Sequence, residues 1–278
     1  MDLKLALIGT PIQHSLSPWI HQQFLEKAGM NGEYQLFEIL PEESFEDRVM
    51  ELKGMGVDGF NVTVPYKQKI FPFLDEVDKN AVKAGAVNTV VRRNGKWIGY
   101  NTDGTGFLRS LKTYYPSVNP SMQILLIGGG GATRGIYYAM AAAGYENIDI
   151  ANRTTKKAEE IAELSEGAVH TTVLDLDNAQ EQLKKYDVII QTTSVGMKPY
   201  TDHSIMPLDG LKQGAIVSDI VYQPLKTAFL LQADELGADT HLGHTMLLYQ
   251  AQHAFEIWTG KNVDVEEMDN KLMKILEG

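Results

Sequence analysis

Short apolar runs alternate with amphipathic stretches along nearly the whole chain, a pattern that predicts an α/β fold. Leu3–Ile8, Tyr34–Ile39 and Phe60–Val64 read as strands. Between the first two lies a helix with marked ends: Ser17 at the cap, Pro18 at the first helical position and Gly29 past the last turn. Asn94-Gly95 predicts a tight hairpin turn joining Thr89–Arg93 to Lys96–Tyr100. A polar, proline-bearing stretch, Tyr114–Ser121, precedes a second α/β series. Met122–Ile127 is almost entirely apolar, as suits a parallel strand buried on both faces. Four glycines follow, then a helix rich in Ala and Tyr that stops at Gly144. Ile148–Ala151, Asp187–Gln191 and Ala215–Ser218 read as further parallel strands, and the chain from Thr245 is mainly helical. The pattern divides into a first domain over residues 1–104, a second over 105–242, and C-terminal helices, 243–278, that return to the first.

Composition narrows this picture little. With 278 residues, 44% of them hydrophobic, the chain can bury a stable core without covalent staples. Zero cysteines exclude disulfides, thiolate zinc sites and a cysteine nucleophile together, and are compatible with a reducing cytosol. The N-terminal run Leu3–Ile8 lacks the layout of a signal peptide and reads as a strand. No stretch approaches the roughly 20 apolar residues of a membrane span. A net charge of −11 argues against nucleic-acid or anionic-membrane partners, so individual cations in polar loops become informative. The seven histidines show no metal-ligand spacing with nearby acids; His241 and His244, three apart, are only a weak hint, and no metal is expected.

Gly128-Gly129-Gly130-Gly131-Ala132-Thr133-Arg134-Gly135 joins a buried strand to a helix. Small residues there let the backbone approach a pyrophosphate, and free N–H groups with the helix dipole favour the anion. The match to the dinucleotide fingerprint is imperfect, since Thr133 fills the third glycine slot, and a plain tight turn would look similar. At the end of the next strand, where an NAD site places an acid, stand Ala151-Asn152-Arg153-Thr154, with Lys156 and Lys157 following. A guanidinium at Arg153 suits a 2′-phosphate, which favours NADP; the alternative is a solvated helix start.

Four polar clusters mark strand ends in the first domain. Ser15 and Ser17 precede a helix, where hydroxyls and helix N–H groups can receive a carboxylate, although Ser17 can also simply cap it. Strand alternation puts Asn61 and Thr63 on one face, and Lys67 follows just beyond. A lysine there can face a reacting oxygen, yet lysines after a proline are usually surface residues. Asn88 and Asp103 open and close the hairpin, positions where both types also serve turns. Together the clusters offer hydroxyls, amides, one cation and one carboxylate, a set suited to a small polyhydroxylated acid.

In chain order, G-T-P-I-Q-H-S-L-S-P, N-V-T-V-P-Y-K, G-A-V-N-T, N-T-D-G-T-G, G-G-G-G-A-T-R-G, N-R-T, T-S-V-G-M, D-I-V-Y-Q-P-L-K-T and M-L-L-Y-Q-A-Q-H-A-F-E-I-W-T-G run from about residue 8 to about residue 260. Nine such segments in order resemble the shikimate dehydrogenase family. The resemblance implies a substrate-binding domain followed by a Rossmann-type NADP-binding domain. It implies that Ser15 and Ser17 hold the substrate carboxylate, with Tyr222 supporting that end. Thr63, Asn88, Asp103 and Gln250 match further substrate contacts, Lys67 the catalytic lysine and Asp103 its acid/base partner. Gly128 to Ala132 match the pyrophosphate loop; Asn152, Arg153, Thr154 and Lys157 match the NADP-selecting stretch; Ile220, Gly243 and Met246 match positions near the nicotinamide. Two departures stand out: His21-Gln22 where the family often has His-Asn, and Gln191 where it often has Asn. The implied protein is a cytoplasmic monomer or homodimer that reduces 3-dehydroshikimate reversibly to shikimate. A quinate/shikimate dehydrogenase of broader substrate or cofactor use, and a non-catalytic NADP-sensing module, are the rival expectations.

Overall fold

The first 103 residues alternate strand and helix around one mixed sheet in the computed structural model, which describes residues 2–277; Met1 and Gly278, the outer ends of the expected first domain, lie outside them. In chain order the elements are β1 (Leu3–Gly9), α1 (Ser17–Ala28), β2 (Gly32–Glu38), α2 (Phe45–Gly54), β3 (Gly59–Val62), β4 (Glu76–Val77), α3 (Lys79–Ala84), β5 (Thr89–Arg93) and β6 (Lys96–Tyr100). The strands lie in the order β2-β1-β3-β5-β6-β4. β1 is parallel to both β2 and β3, with Leu5 opposite Tyr34 on one side and Gly59 on the other, whereas β5 runs antiparallel to β3 and β6. Ile8, Phe60, Val62, Val90 and Trp97 lie in its buried core. Residues Gln250–Asp264 belong to this unit as well.

The hairpin forms where the sequence places it. Asn94 and Gly95 both take positive φ, 52° and 79°, as its turn requires. Two local expectations need correction. β3 stops at Val62, two residues short of the predicted end, and the side chain of Val64 is exposed. Ser17 is not the cap of α1. Leu16, already helical in φ and ψ, stands there, and the N–H of Ser17 donates to Ser15 Oγ at 3.2 Å instead. The helix ends as predicted, on Gly29 in the left-handed region at φ 61°.

The second unit takes the chain from Gly104 to Tyr249 and again from Val265 onward. Its elements are α4 (Asp103–Tyr114, with Asp103 itself counted in the first unit), β7 (Gln123–Ile127), α5 (Gly131–Ala142), β8 (Asn147–Ala151), α6 (Thr155–Ala162), β9 (Val173–Leu174), α7 (Leu176–Glu181), β10 (Val188–Gln191), β11 (Ile216–Asp219), α8 (Ala228–Glu235), β12 (Asp239–His241), α9 (Gly243–Thr259, which continues into the first unit) and α10 (Glu266–Glu277). All its strands are parallel, in the order β12-β11-β10-β7-β8-β9. The chain winds outward from β7 in one direction, then crosses to β10 and winds in the other, the doubly wound order of a Rossmann fold. Such a sheet binds ligands at the carboxyl ends of the strands beside the reversal, here β7 and β10. Apolar side chains of β7 and β10 fill both faces of this sheet, Leu126 and Ile190 on one, Ile127 and Ile189 on the other. That two-sided burial is why these strands read as continuous apolar runs.

Candidate active site

Backbone hydrogen bonds first fix where the polar groups of the first unit can reach. Beyond β3 the chain turns on itself, with the N–H of Tyr66 donating to the carbonyl of Thr63, while the carbonyl of Lys67 accepts the N–H of Val87 at 2.8 Å. At the far end of the hairpin, Asn101 Oδ1 accepts the N–H of Asp103 at 3.0 Å, and its amide donates to the carbonyl of Ala86. These bonds bring Lys67, Asn88 and Asp103 to one point. Lys67 Nζ donates to Asp103 Oδ2 at 2.6 Å, and Asn88 Nδ2 donates to the other carboxylate oxygen at 2.8 Å. Asn88 is itself pinned, since its Oδ1 accepts the N–H of Thr102 at 2.8 Å. Gln250 Oε1 lies 3.5 Å from both Asn88 Nδ2 and Thr102 Oγ1. The lysine and aspartate side chains keep 30% and 13% of their surface exposed, so the pair is sheltered yet reachable. An amine and a carboxylate in direct contact, each held from behind, form a unit that can take or give a proton.

Ser15, Ser17 and Thr63 lie in the same unit, at the start of α1 and the end of β3. The loop carrying Ser15 runs close to Thr63: a Cβ on Gly9 would strike Thr63 Cγ2, and the N–H of Thr10 donates to the carbonyl of Val64. Glu38 ties this loop down, accepting from Gln13 Nε2 at 2.6 Å and from Thr10 Oγ1 and the N–H of Ile12 at 3.3 Å each. The Gln13 bond, the largest influence, together with those from Ile12 and Thr10 holds the Glu38 carboxyl below the usual range against the opposing effect of burial. Tyr34 and Asn61, to which the sequence pattern assigns no site role, are joined here. The phenol of Tyr34 donates to Asn61 Oδ1 at 2.7 Å, and Asn61 Nδ2 donates to the carbonyl of Asn88 at 3.0 Å and to Thr89 Oγ1 at 3.1 Å. The only sequence signal was a polar residue amid the apolar run of β3.

In the second unit the glycine loop lies at the carboxyl end of β7. Gly128 has φ 139°, a conformation glycine tolerates and bulkier residues do not. A Cβ on Gly129 would come within 2.7 Å of Asn152 Nδ2, whereas Gly130 and Gly131 face open space. Thr133 in the third glycine slot has a local cause. It is fully buried, its Oγ1 accepts the N–H of Gly130 at 3.2 Å, and it meets Thr192 Oγ1 at 2.7 Å, so the hydroxyl braces the loop. The first turn of α5 carries no acidic residue, leaving its N–H groups and dipole to an anion. Asn152 donates to the carbonyl of Thr154 at 2.8 Å, and Arg153, Thr154 and Lys157 are exposed around it. The one acid on β8, Asp149, is engaged elsewhere by Tyr186, Lys185 and the N–H of Thr172. An open glycine cradle, a helix N-terminus and an exposed guanidinium, with no acid at the strand end, fit a dinucleotide bearing a 2′-phosphate.

At the carboxyl ends of β10 and β11, Gln191 Nε2 donates to Asp219 Oδ1 and to the carbonyl of Val195, both at 3.1 Å, while its Oε1 accepts the N–H of Thr193. Asp219 also accepts from the N–H of Val221 at 2.9 Å and from Thr227 Oγ1 at 2.7 Å. Burial outweighs these three bonds and pushes its carboxyl up to about 6. This knot holds the loop bearing Ile220 and Tyr222, whose phenol burial also shifts upward. A Cβ on Gly243 would collide with the backbone of Ile220 and Val221, and Met246 is buried one turn further along α9. Thus Ile220, Tyr222, Gly243 and Met246 lie in the second unit, apart in the chain from the serines and the lysine. His241 is engaged by Ser218 and Thr245, and His244 by Asp269, so the two belong to separate hydrogen-bond sets.

The chain matches three family models: the shikimate dehydrogenase substrate binding domain over residues 7–90, shikimate / quinate 5-dehydrogenase over 115–220, and the shikimate 5′-dehydrogenase C-terminal domain over 243–273. It is 54% identical, over the full length of both chains, to a protein of Oceanobacillus iheyensis named shikimate dehydrogenase (NADP(+)). Among solved structures it resembles shikimate 5-dehydrogenase of Thermus thermophilus in complex with NADP(H) and shikimate, with TM-score 0.86 and 32% identity over 98% of this chain and 99% of that one. Quinate dehydrogenase of Corynebacterium glutamicum in complex with NAD matches with TM-score 0.89 at 28% identity, covering 98% of this chain and 99% of that one.

Proposed function

We propose that this chain, which belongs to the shikimate dehydrogenase family, reduces 3-dehydroshikimate reversibly to shikimate with NADPH. The observation that carries the chemistry is the Lys67–Asp103 pair at 2.6 Å, backed by Asn88. Oxidising a secondary alcohol removes a proton from oxygen as hydride leaves carbon, and NADP supplies the hydride acceptor when bound. Lys67 takes the hydroxyl proton or steadies charge growing on the oxygen, and Asp103 orients that hydroxyl and shares the proton. Ser15 and Ser17 hold the substrate carboxylate, with Tyr222 supporting that end, and Thr63, Asn88 and Gln250 take further polar groups of the substrate. Gly128, Gly129, Gly130, Gly131 and Ala132, with the N-terminus of α5, hold the pyrophosphate. Asn152, Arg153, Thr154 and Lys157 take the 2′-phosphate, and Ile220, Gly243 and Met246 border the nicotinamide.

On this assignment residues 1–104, completed by C-terminal helix, are the substrate domain, and 105–242 the NADP domain. The activity belongs to the biosynthesis of aromatic amino acids. No helix of the described residues is long and apolar enough to cross a membrane, and we place the enzyme in the cytoplasm, as a monomer or homodimer.

Quinate oxidation with NAD is the competing activity, and Arg153 at the end of β8, where an NAD site has an acid, weighs against it. The deciding experiment follows reduced cofactor with purified protein, pairing shikimate and quinate with NADP and NAD in turn. Strong turnover is expected only with shikimate and NADP. Comparable rates with quinate or NAD would replace this assignment with the broader enzyme, and cofactor binding without any turnover would favour a sensor.

A further inference from the structure

Thr192 directly follows β10, is buried, and lies against the glycine loop without being part of it. Both of its polar hydrogens go to one acceptor. Its N–H and its hydroxyl donate to the carbonyl of Ile127, the last residue of β7, at 2.9 and 2.8 Å. A hydroxyl has one proton, so with that proton committed the Thr192 oxygen can only accept. Thr133 Oγ1, 2.7 Å away, is therefore the donor of the pair. Thr133 Oγ1 accepts in turn from the N–H of Gly130 at 3.2 Å. The bonds thus run one way, from the Gly130 N–H through Thr133 and Thr192 to the end of β7. On the other side the N–H of Gly128 donates to the carbonyl of Ala151 at 2.8 Å, so the entry to the loop is tied to the ends of both β8 and β10. A Cβ on Gly128 would collide with Thr192 Oγ1 and come within 2.9 Å of Thr133 Oγ1, so the two hydroxyls fill the space a side chain would take. With the Gly130 N–H held by Thr133, the first-turn N–H groups of α5, from Gly131 on, are those with no carbonyl of their own helix to reach, and they are left to a phosphate.

We propose that Thr192 is a positioning residue for the cofactor: acting through Thr133, its hydroxyl holds the Gly128–Gly131 loop in the shape that receives the pyrophosphate. This rests on the dinucleotide assignment of that loop. Thr192→Val keeps the shape of the side chain and removes the hydroxyl, leaving the buried Thr133 proton without its acceptor. The test titrates the full-length protein with NADPH and with NADH and reads the nicotinamide fluorescence. Because the pyrophosphate is common to both, the two Kd values should rise by the same factor, about tenfold, the worth of one buried hydrogen bond. Thr192→Ser, which keeps the hydroxyl, should restore both. In a Thr133→Val background Thr192→Val should add little, since its effect passes through Thr133. A contact that served the fold alone would lower the melting temperature and leave both Kd values in place, and that result overturns the proposal. So does a rise for NADPH only, or an equal rise in both backgrounds. Should Thr192→Val not fold, Thr192→Ala is read by the same outcomes. A parent protein that binds neither NADPH nor NADH would overturn the cofactor assignment and this proposal with it, whereas equal binding by parent and Thr192→Val overturns this proposal alone.

Discussion

A lysine that follows a proline at a strand end is ordinarily a solvated side chain. Lys67 departs from that rule because Asp103, 36 positions later, lies 2.6 Å away and is itself held by Asn88. Removing the amine by Lys67→Ala leaves Asp103 anchored, so the substrate site should survive while proton handling fails. We expect kcat for shikimate oxidation to fall about 10²- to 10⁴-fold, the usual weight of a positioned acid–base group, with little change in the shikimate KM. Full turnover in that variant would remove Lys67 from the chemistry. Arg153 stands at a different level: it is exposed, and the role proposed for it is recognition of the 2′-phosphate alone. A charge-assisted bond to a phosphate contributes about 1.5–3 kcal/mol, so Arg153→Ala should raise the NADP KM by about tenfold to a hundredfold. NAD, lacking the phosphate, should be nearly unaffected; equal losses for both cofactors would mean that the guanidinium does not read the 2′-phosphate.

At the scale of elements, what could be read in the sequence depended on how local the cause was. The β5–β6 hairpin was legible because two residues, Asn94 and Gly95, dictate its turn, and β7 and β10 because burial on both faces leaves nearly continuous apolar runs. β12, Asp239–His241, carries no such run; it forms because the edge of β11 offers partners, a cause outside its own residues. Lys67, Asn88 and Asp103 were visible as polar residues at strand ends, whereas the bond from Tyr34 to Asn61 depends on β2 and β3 flanking β1, which no local pattern reveals. Gln191, standing where the family often has Asn, joins the ends of β10 and β11 through the bond of its amide to Asp219. Burial raises the Asp219 carboxyl from 3.8 to about 6 in the folded chain. The folded state therefore holds this proton more tightly than the unfolded state, so stability from this group is present below 3.8 and is lost as pH rises through about 6. Asp219→Asn cannot ionise and keeps an oxygen for Gln191 and Val221. Relative to the parent it should gain about 2 kcal/mol between pH 4 and pH 7, on the order expected for such a shift. Urea unfolding at several pH values would measure it, and a difference independent of pH would show that Asp219 stays charged throughout.

At the scale of the whole molecule, the chain leaves the first unit at Asp103 and re-enters it at Gln250, so that unit cannot be finished until most of the protein exists. The returning segment is structural in detail. Trp258 Nε1 donates to the carbonyl of Val90 at 2.8 Å, and its indole lies over Gly59, where any Cβ would collide with it. Arg93 reaches the carbonyl of Ile257 at 2.7 Å, and Lys261 reaches that of Ala28 at 2.9 Å. Phe255 is fully buried and its ring lies 5.5 Å from that of Phe24 on α1. Losing two such aromatic side chains from a packed face costs about 3–5 kcal/mol each when judged by truncation to alanine, comparable to the entire stability of a small domain. A fragment ending at Asp103 should therefore hold its secondary structure loosely and unfold without a sharp urea transition. Attaching residues 250–264 through a flexible linker should restore cooperative unfolding and disperse the amide spectrum. Cooperative unfolding of the shorter fragment by itself would show that the β1–β6 sheet and its helices suffice, and that the returning helix serves the site through Gln250 rather than the fold.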